Sequence, residues 1–238
     1  MARIRLRHCS VRFIDGYSAE ATVNGAPANN ATTMNITFAG GIIPVGTRFE
    51  VVGAAQIYTI TAVTGGPPNT TGITFTPAMT TGDGLPENGA AITIQGRALE
   101  IKVGDGNVSY DTARTVEYEM DKGRIDAAVE GDDVPVAVNM NLTYEYLTAS
   151  TGTNVPTPKD VLKKRGEAAD WVTAGADPCE PYAVKIEIDY HPPCDIDHEI
   201  TLLPEFRAES INHDLQGSTI AVRGQCKVKD ITPIRRAY

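Results

Sequence analysis

The 238 residues include one tryptophan, Trp171, four cysteines and no long apolar run. Cys9, Cys179, Cys194 and Cys226 are too few and too scattered for a disulfide-stapled scaffold, so a reducing compartment is expected. No stretch approaches the roughly 18 apolar residues of a membrane-spanning helix. The opening MARIRLRHCS is basic but lacks the apolar segment of a secretory signal. A soluble chain made in a cytosol is the expectation. Nucleotide and nucleophile motifs are missing too. There is no Walker A loop and no G-x-S-x-G elbow, and Gly104-Asp-Gly-Asn107 lacks the G-x-G-x-x-G spacing. His8, His191, His198 and His213 are candidate bases with no nucleophile signature beside them. Nothing here argues for an enzyme or for a cofactor.

What is present is an ordinary globular composition, 42% hydrophobic and 21% charged, in a length that suits one large domain or two small ones. The net charge of −9 is unevenly placed. Residues 1–12 carry Arg3, Arg5, Arg7 and Arg12, and residues 223–238 carry five cations against Asp230, so residues 13–222 hold −17. So acidic a body disfavours duplex binding, whose affinity comes from neutralising phosphates. Basic ends around it suit head-to-tail self-association.

The chain changes character near residue 98. From 13 to 97 there is no lysine or cysteine, and Thr, Gly, Asn, Ala and Pro dominate. Runs such as Ile57-Tyr-Thr-Ile-Thr-Ala-Val63 alternate with period 2 between turn clusters such as Gly65-Gly66-Pro67-Pro68. Residues 1–97 are therefore expected to form an all-β barrel or sandwich module, with 1–12 packing on the second domain. Residues 98–238 are expected to form a β-sandwich with one flanking helix near 157–172. Thr157, Pro158 and Asp160 announce that helix, and Val161, Ala168 and Val172, flanked by Leu162 and Trp171, form its apolar stripe. Val134–Thr148 reads as an overlong strand that needs a partner. Glu199–Leu203 and Phe206–His213 read as two further strands.

Two clusters could carry chemistry. Asp177-Pro-Cys179 and His191-Pro-Pro-Cys194, with Asp195, Asp197 and His198, could hold a metal, but their spacing matches no zinc finger or ribbon. The simpler reading is a Pro-rich connection whose cysteines meet as small buried residues or a cross-link. The segment Glu117–Asp133, EYEMDKGRIDAAVEGDD, has seven carboxylates against Lys122 and Arg124. It reads as a solvated hairpin tip, as an acidic lining past which a polyanion slides, or, less well by its spacing, as a calcium loop.

At Leu99–Asn107, Thr115-Val-Glu-Tyr-Glu-Met-Asp121, Val129-Glu-Gly-Asp-Asp-Val-Pro135 and Asn141-Leu-Thr-Tyr-Glu-Tyr146 the chain resembles tail tube (major tail) proteins of long, non-contractile-tailed bacteriophages. The resemblance continues through Pro156–Asp160, Ala168–Val172, Ala176–Cys179 and Phe206–Val228. The first module resembles a β module of several phage structural proteins. The family implies a tail-tube-type β-sandwich and a non-enzymatic subunit whose hexameric rings stack into a conduit for DNA ejection. It also implies a place in the virion tail after assembly in the host cytoplasm. Implied partners are other copies of the chain, the tape measure, terminator and distal tail proteins, and DNA in transit without specific binding; no membrane is implied. Asp121, Asp126, Glu130, Asp132 and Asp133 are then expected to face the lumen. Two other roles compete: a distal tail or head–tail connector ring, and a glycan-binding virion protein. For the last, the first module offers Tyr58 and Phe75 but no tryptophan.

Overall fold

The computed structural model describes residues 9–66, 69–101, 103, 107–143, 156–177, 179–190 and 197–237. The chain is mainly β with one short helix, and divides into two compact units, Ile14–Leu99 and Met1–Phe13 with Glu100–Tyr238. The change of composition near residue 98 falls inside a strand, Ala91–Ile101.

In the first unit the strands are β2 (Ala19–Val23), β3 (Ala31–Thr37), β4 (Thr47–Val51), β5 (Ile57–Gly66), β6 (Asn69–Met79) and β7 (Ala91–Ile101). They pair antiparallel in the order β2-β3-β6-β5-β4-β7, and β7 returns to pair with β2. The sheet is a closed six-stranded barrel, which leaves no free edge. Alternation builds its interior. In β3, Met34 and Ile36 are buried while Thr33, Asn35 and Thr37 are exposed. Phe49, Tyr58 and Phe75 meet with ring centroids 5.4 Å apart, among Ile43, Ile60, Met79, Ile92 and Ile94. Three such rings contribute area and edge-to-face attraction together.

In the second unit the sheet runs β1 (Cys9–Ile14), β12 (Val184–Tyr190), β13 (Asp197–Asp214), β14 (Thr219–Cys226), β11 (Val136–Thr143) and β8 (Val108–Asp111), with β15 (Ile234–Ala237) also on β13. One face is apolar in register. Val136, Cys226 and Phe206 share a row, as do Met140, Val222 and Ile211. The other face is polar, with Asn139, Arg223 and Ser210 in a row. Arg12 on β1 reaches Glu187 (2.9 Å) and Asp189 (3.5 Å) on β12.

Two expectations change. Of the expected strand Val134–Thr148, β11 covers Val136–Thr143, and positions 144–148 lie outside the described residues. The first change is in β13, one strand of 18 residues where two were expected. Pro204 and Glu205 (φ 49°) do not break it, because β12 holds its first half, β14 its second, and Arg207 Nη2 lies 3.2 Å from the Glu205 carboxylate. The helix expected near 157–172 is shorter. Its capping box forms as read, with Thr157 Oγ1 accepting from Asp160 N at 3.2 Å and Thr157 N donating to the Asp160 carboxylate. But α1 spans only Pro158–Lys163, because Lys164 turns left-handed (φ 47°) as its C-cap and Gly166 (φ 54°) opens a separate 3₁₀ turn. Val161, Leu162, Ala168 and Trp171 are buried as expected; Val172 is exposed.

Candidate functional site

The acidic segment forms a two-stranded sheet of its own. β9 (Val116–Asp121) pairs antiparallel with β10 (Arg124–Glu130), and no other strand joins either edge among the described residues. Lys122 (φ 48°) and Gly123 (φ 78°) make the two-residue turn, the pair of positive φ values that matches strand twist in a tight hairpin. Six rungs at about 3.4 Å per residue carry the tip roughly 20 Å from the base.

Register divides its side chains. Asp121 faces Arg124, Met120 faces Ile125, then an irregularity at Asp126 shifts the count, so Glu119 faces Ala127, Tyr118 faces Ala128 and Glu117 faces Val129. One side of the ribbon therefore carries Val116, Tyr118, Met120, Ile125 and Ala128, with Glu130 beside Val116 at its base, and the other Glu117, Glu119, Asp121 and Arg124 with Ala127 and Val129. The apolar side is not covered. Tyr118, Met120 and Ile125 are each at least 60% exposed, and Val116 is 48% exposed. A lone two-stranded ribbon is marginal in water, and scattered exposed apolar side chains are ordinary, but a contiguous row on one face marks a contact surface.

The five carboxylates expected to act together are split along this ribbon. Asp121 and Asp126 are in its outer half. Glu130, Asp132 and Asp133 stand at its base in a cleft with Arg114, Lys229 and Asp230. There Lys229 Nζ lies 3.1 Å from Asp133 and 3.9 Å from Glu130, and Arg114 lies 3.9 Å from Asp230. The carboxylates raise the pKa of Lys229, the hydrogen bond it donates to Asp133 foremost, so it stays charged. Four carboxylates against two cations leave the base negative.

Of the second cluster, His191, Cys194 and Asp195 lie outside the described residues. Cys179 is exposed, its N–H held by Asp177 Oδ1 at 2.8 Å. Among the described residues no group of three or more His, Cys, Asp or Glu side chains could hold a metal ion.

A cluster of cations lies around α1. Lys159, Lys163, Lys164 and Arg165 stand within seven positions. Lys164 lies over the Tyr182 ring at 5.6 Å and Arg165 is 3.6 Å from Asp160; Lys159 and Lys163 make no ion pair among the described residues. Burial first, then the charges of Lys159, Lys163 and Arg165, hold His213 below the usual imidazole pKa. Two residues on, Leu215 is 84% exposed in the turn between β13 and β14.

No family model, no curated protein and no solved structure matches the chain.

Proposed function

We propose that this chain is a non-enzymatic structural subunit of the tail tube of a long, non-contractile-tailed phage. Copies join in hexameric rings, and the rings stack into a conduit for DNA ejection. The observation that carries the reading is the β9–β10 ribbon, whose two edges are unpaired among the described residues and which bears a row of exposed apolar side chains that a second copy would cover. The residues that resemble tail tube proteins run through the same ribbon, Thr115–Asp121 and Val129–Pro135. The four-residue edge strand β8 offers a further place for strands of another copy. The barrel closes on itself, so it has no strand edge to contribute and serves on the tube exterior. At the ribbon base, Glu130, Asp132 and Asp133 repeat around the ring and keep the passage negative, so DNA slides through without being held.

Electron microscopy of the purified chain, alone and seeded with tails, tests the reading. Tubes are expected. Closed rings that never stack would favour a distal tail or connector ring instead. A 25.4 kDa monomer under both conditions would overturn self-assembly.

A further inference from the structure

Asparagine is followed by glycine at two places in the chain, Asn24-Gly25 and Asn88-Gly89. Asn-Gly is the sequence most open to deamidation, because a glycine N–H, with no Cβ beside it, can attack the preceding side-chain carbonyl carbon. The barrel brings the two pairs together. Asn24 continues β2 and donates its N–H to the Asn35 carbonyl on β3 at 2.9 Å. Asn88 stands in the turn before β7, which Ala90 N closes onto the Glu87 carbonyl at 3.1 Å. Gly25 N donates to Asn88 Oδ1 at 2.8 Å, and Gly89 N donates to the Val23 carbonyl at 2.9 Å. Both glycines hold left-handed backbone, with φ 87° at Gly25 and 84° at Gly89. All four residues are exposed to water.

We propose that Asn24 and Asn88 are coupled deamidation sites, and that the hydrogen bond from Gly25 N to Asn88 Oδ1 restrains both. The step is the same at each. The glycine nitrogen gives its proton to hydroxide or another solvent base and bonds to the asparagine Cγ. The Cγ–Nδ2 bond breaks, ammonia leaves, and a succinimide ring remains. Water then opens the ring at either carbonyl, giving aspartate or, more often, isoaspartate, with no change of oxidation state. At Asn24 the attacking nitrogen is Gly25 N, whose proton is held by Asn88 Oδ1. At Asn88 the carbon under attack belongs to the amide that Gly25 N holds, and the attacking Gly89 N is held by the Val23 carbonyl. One hydrogen bond thus ties up the nucleophile of one site and the electrophile of the other. Reaction at either site releases its partner. A succinimide at position 24 leaves Gly25 N without a proton to donate. Isoaspartate at position 88 routes the main chain through the side-chain carbon and displaces the acceptor. Each event adds one negative charge at the same end of the barrel.

Peptide mass spectrometry of the full-length chain, held warm at mildly alkaline pH and then digested with an acid protease, tests this. Exchange of amide for acid raises the mass of each peptide, and isoaspartate is scored with isoaspartyl methyltransferase. In the folded chain both sites are expected to react several-fold more slowly than in denaturant. Asn88→Ala removes the acceptor and should speed reaction at Asn24 by about two- to tenfold, the factor that one hydrogen bond carries. Asn88→Asp keeps a carboxylate oxygen for Gly25 N and should leave Asn24 slow. Equal rates at Asn24 in the parent and in Asn88→Ala, or equal acceleration by Asn88→Ala and Asn88→Asp, would overturn the restraint. The unaltered chain supplies a second test that poor folding of a variant does not touch. Isoelectric focusing separates chains with none, one and two added charges, and peptide maps of each band assign the positions. Chains changed at both Asn24 and Asn88 should accumulate faster than two independent reactions allow. Independent accumulation would overturn the coupling.

Discussion

Arg97 Nε stands 2.8 Å from Asp15 Oδ2, and Asp15 has no exposed surface. The same carboxylate accepts the backbone N–H of Arg97 (2.9 Å) and of Tyr17 (3.1 Å), while Asp15 N donates to the Arg97 carbonyl at 3.0 Å. Both ends of the barrel segment, the residues just after Ile14 and just before Leu99, are therefore tied together. Gly96 is required there, since a Cβ would run into the Asp15 carbonyl and carboxylate oxygens. Asp15→Ala is expected to destabilise the barrel by about 3–5 kcal/mol, because the largely buried Arg97 guanidinium loses the Asp15 carboxylate. Denaturant melts of the chain, followed by barrel-specific signals, would show it. A loss near zero would mean that the pair contributes nothing net.

The pH dependence of that pair has a definite sign. Burial, the largest influence, pushes the Asp15 carboxyl above its usual 3.8, against the pull of Arg97 and the two N–H donors. The folded state therefore holds this proton more tightly than the unfolded chain. Its contribution to stability is full below pH 3.8 and is lost as pH rises through the folded pKa. Asp15→Asn should remove that fall, so the difference between variant and parent should change with pH in this window and be flat above it. A constant difference across the window would contradict the assignment.

Tyr58 carries the opposite lesson. Its ring is fully buried between Phe49 and Phe75, but its hydroxyl has no hydrogen-bond partner among the described residues. Burial, with Asp83 adding to it, raises the phenol pKa. A buried hydroxyl without a partner costs about 1–3 kcal/mol. Tyr58→Phe keeps the ring packing and should leave the barrel equally stable or more stable by about 1 kcal/mol. A loss above 1 kcal/mol would show that the hydroxyl is satisfied.

Alternation made the barrel strands and the apolar row Val136, Val138, Met140 and Leu142 legible, since period 2 follows directly from the pleat. The ribbon's apolar face was not legible. In sequence Ile125, Ala127 and Val129 alternate, but the irregularity at Asp126 puts Ile125 and Ala128 on one face and Ala127 and Val129 on the other. One unpaired residue exchanges the faces, and no local pattern records it. The helix was overread because buried Ala168 and Trp171 continue the stripe, whereas the backbone reverses at Lys164 and Gly166.

Cys226 is fully buried in the row with Val136 and Phe206, and burial pushes its thiol up to about 12, with Arg207 only partly offsetting this. The thiolate is the reactive form, so Cys226 should resist alkylation at pH 8 in the folded chain. Cys179, exposed, should label within minutes. Mass spectrometry after a maleimide pulse along a denaturant series would follow Cys226 as a reporter of the second unit's sheet. Labelling of Cys226 at the rate of Cys179 without denaturant would place it at the surface.

The base of the ribbon should matter for DNA passage and not for assembly. Glu130, Asp132 and Asp133 share a cleft with Lys229, Arg114 and Asp230, and the surplus is negative. DNA presents one charge per roughly 1.7 Å of axis, so even one ring of exposed cations could hold it through many simultaneous contacts. Around a ring each carboxylate is repeated, and a narrow channel focuses the field. Glu130→Lys with Asp132→Lys should therefore still give tubes, since the outer half of the ribbon is untouched, but phage carrying them should eject DNA slowly or incompletely. Glu130→Gln with Asp132→Asn removes charge without adding any and should be mild. The two outcomes separate in an ejection assay triggered on purified virions, with tail length checked by electron microscopy. Normal ejection by the lysine variants would put these carboxylates on the outside of the tube, and loss of tubes would instead give them a part in assembly.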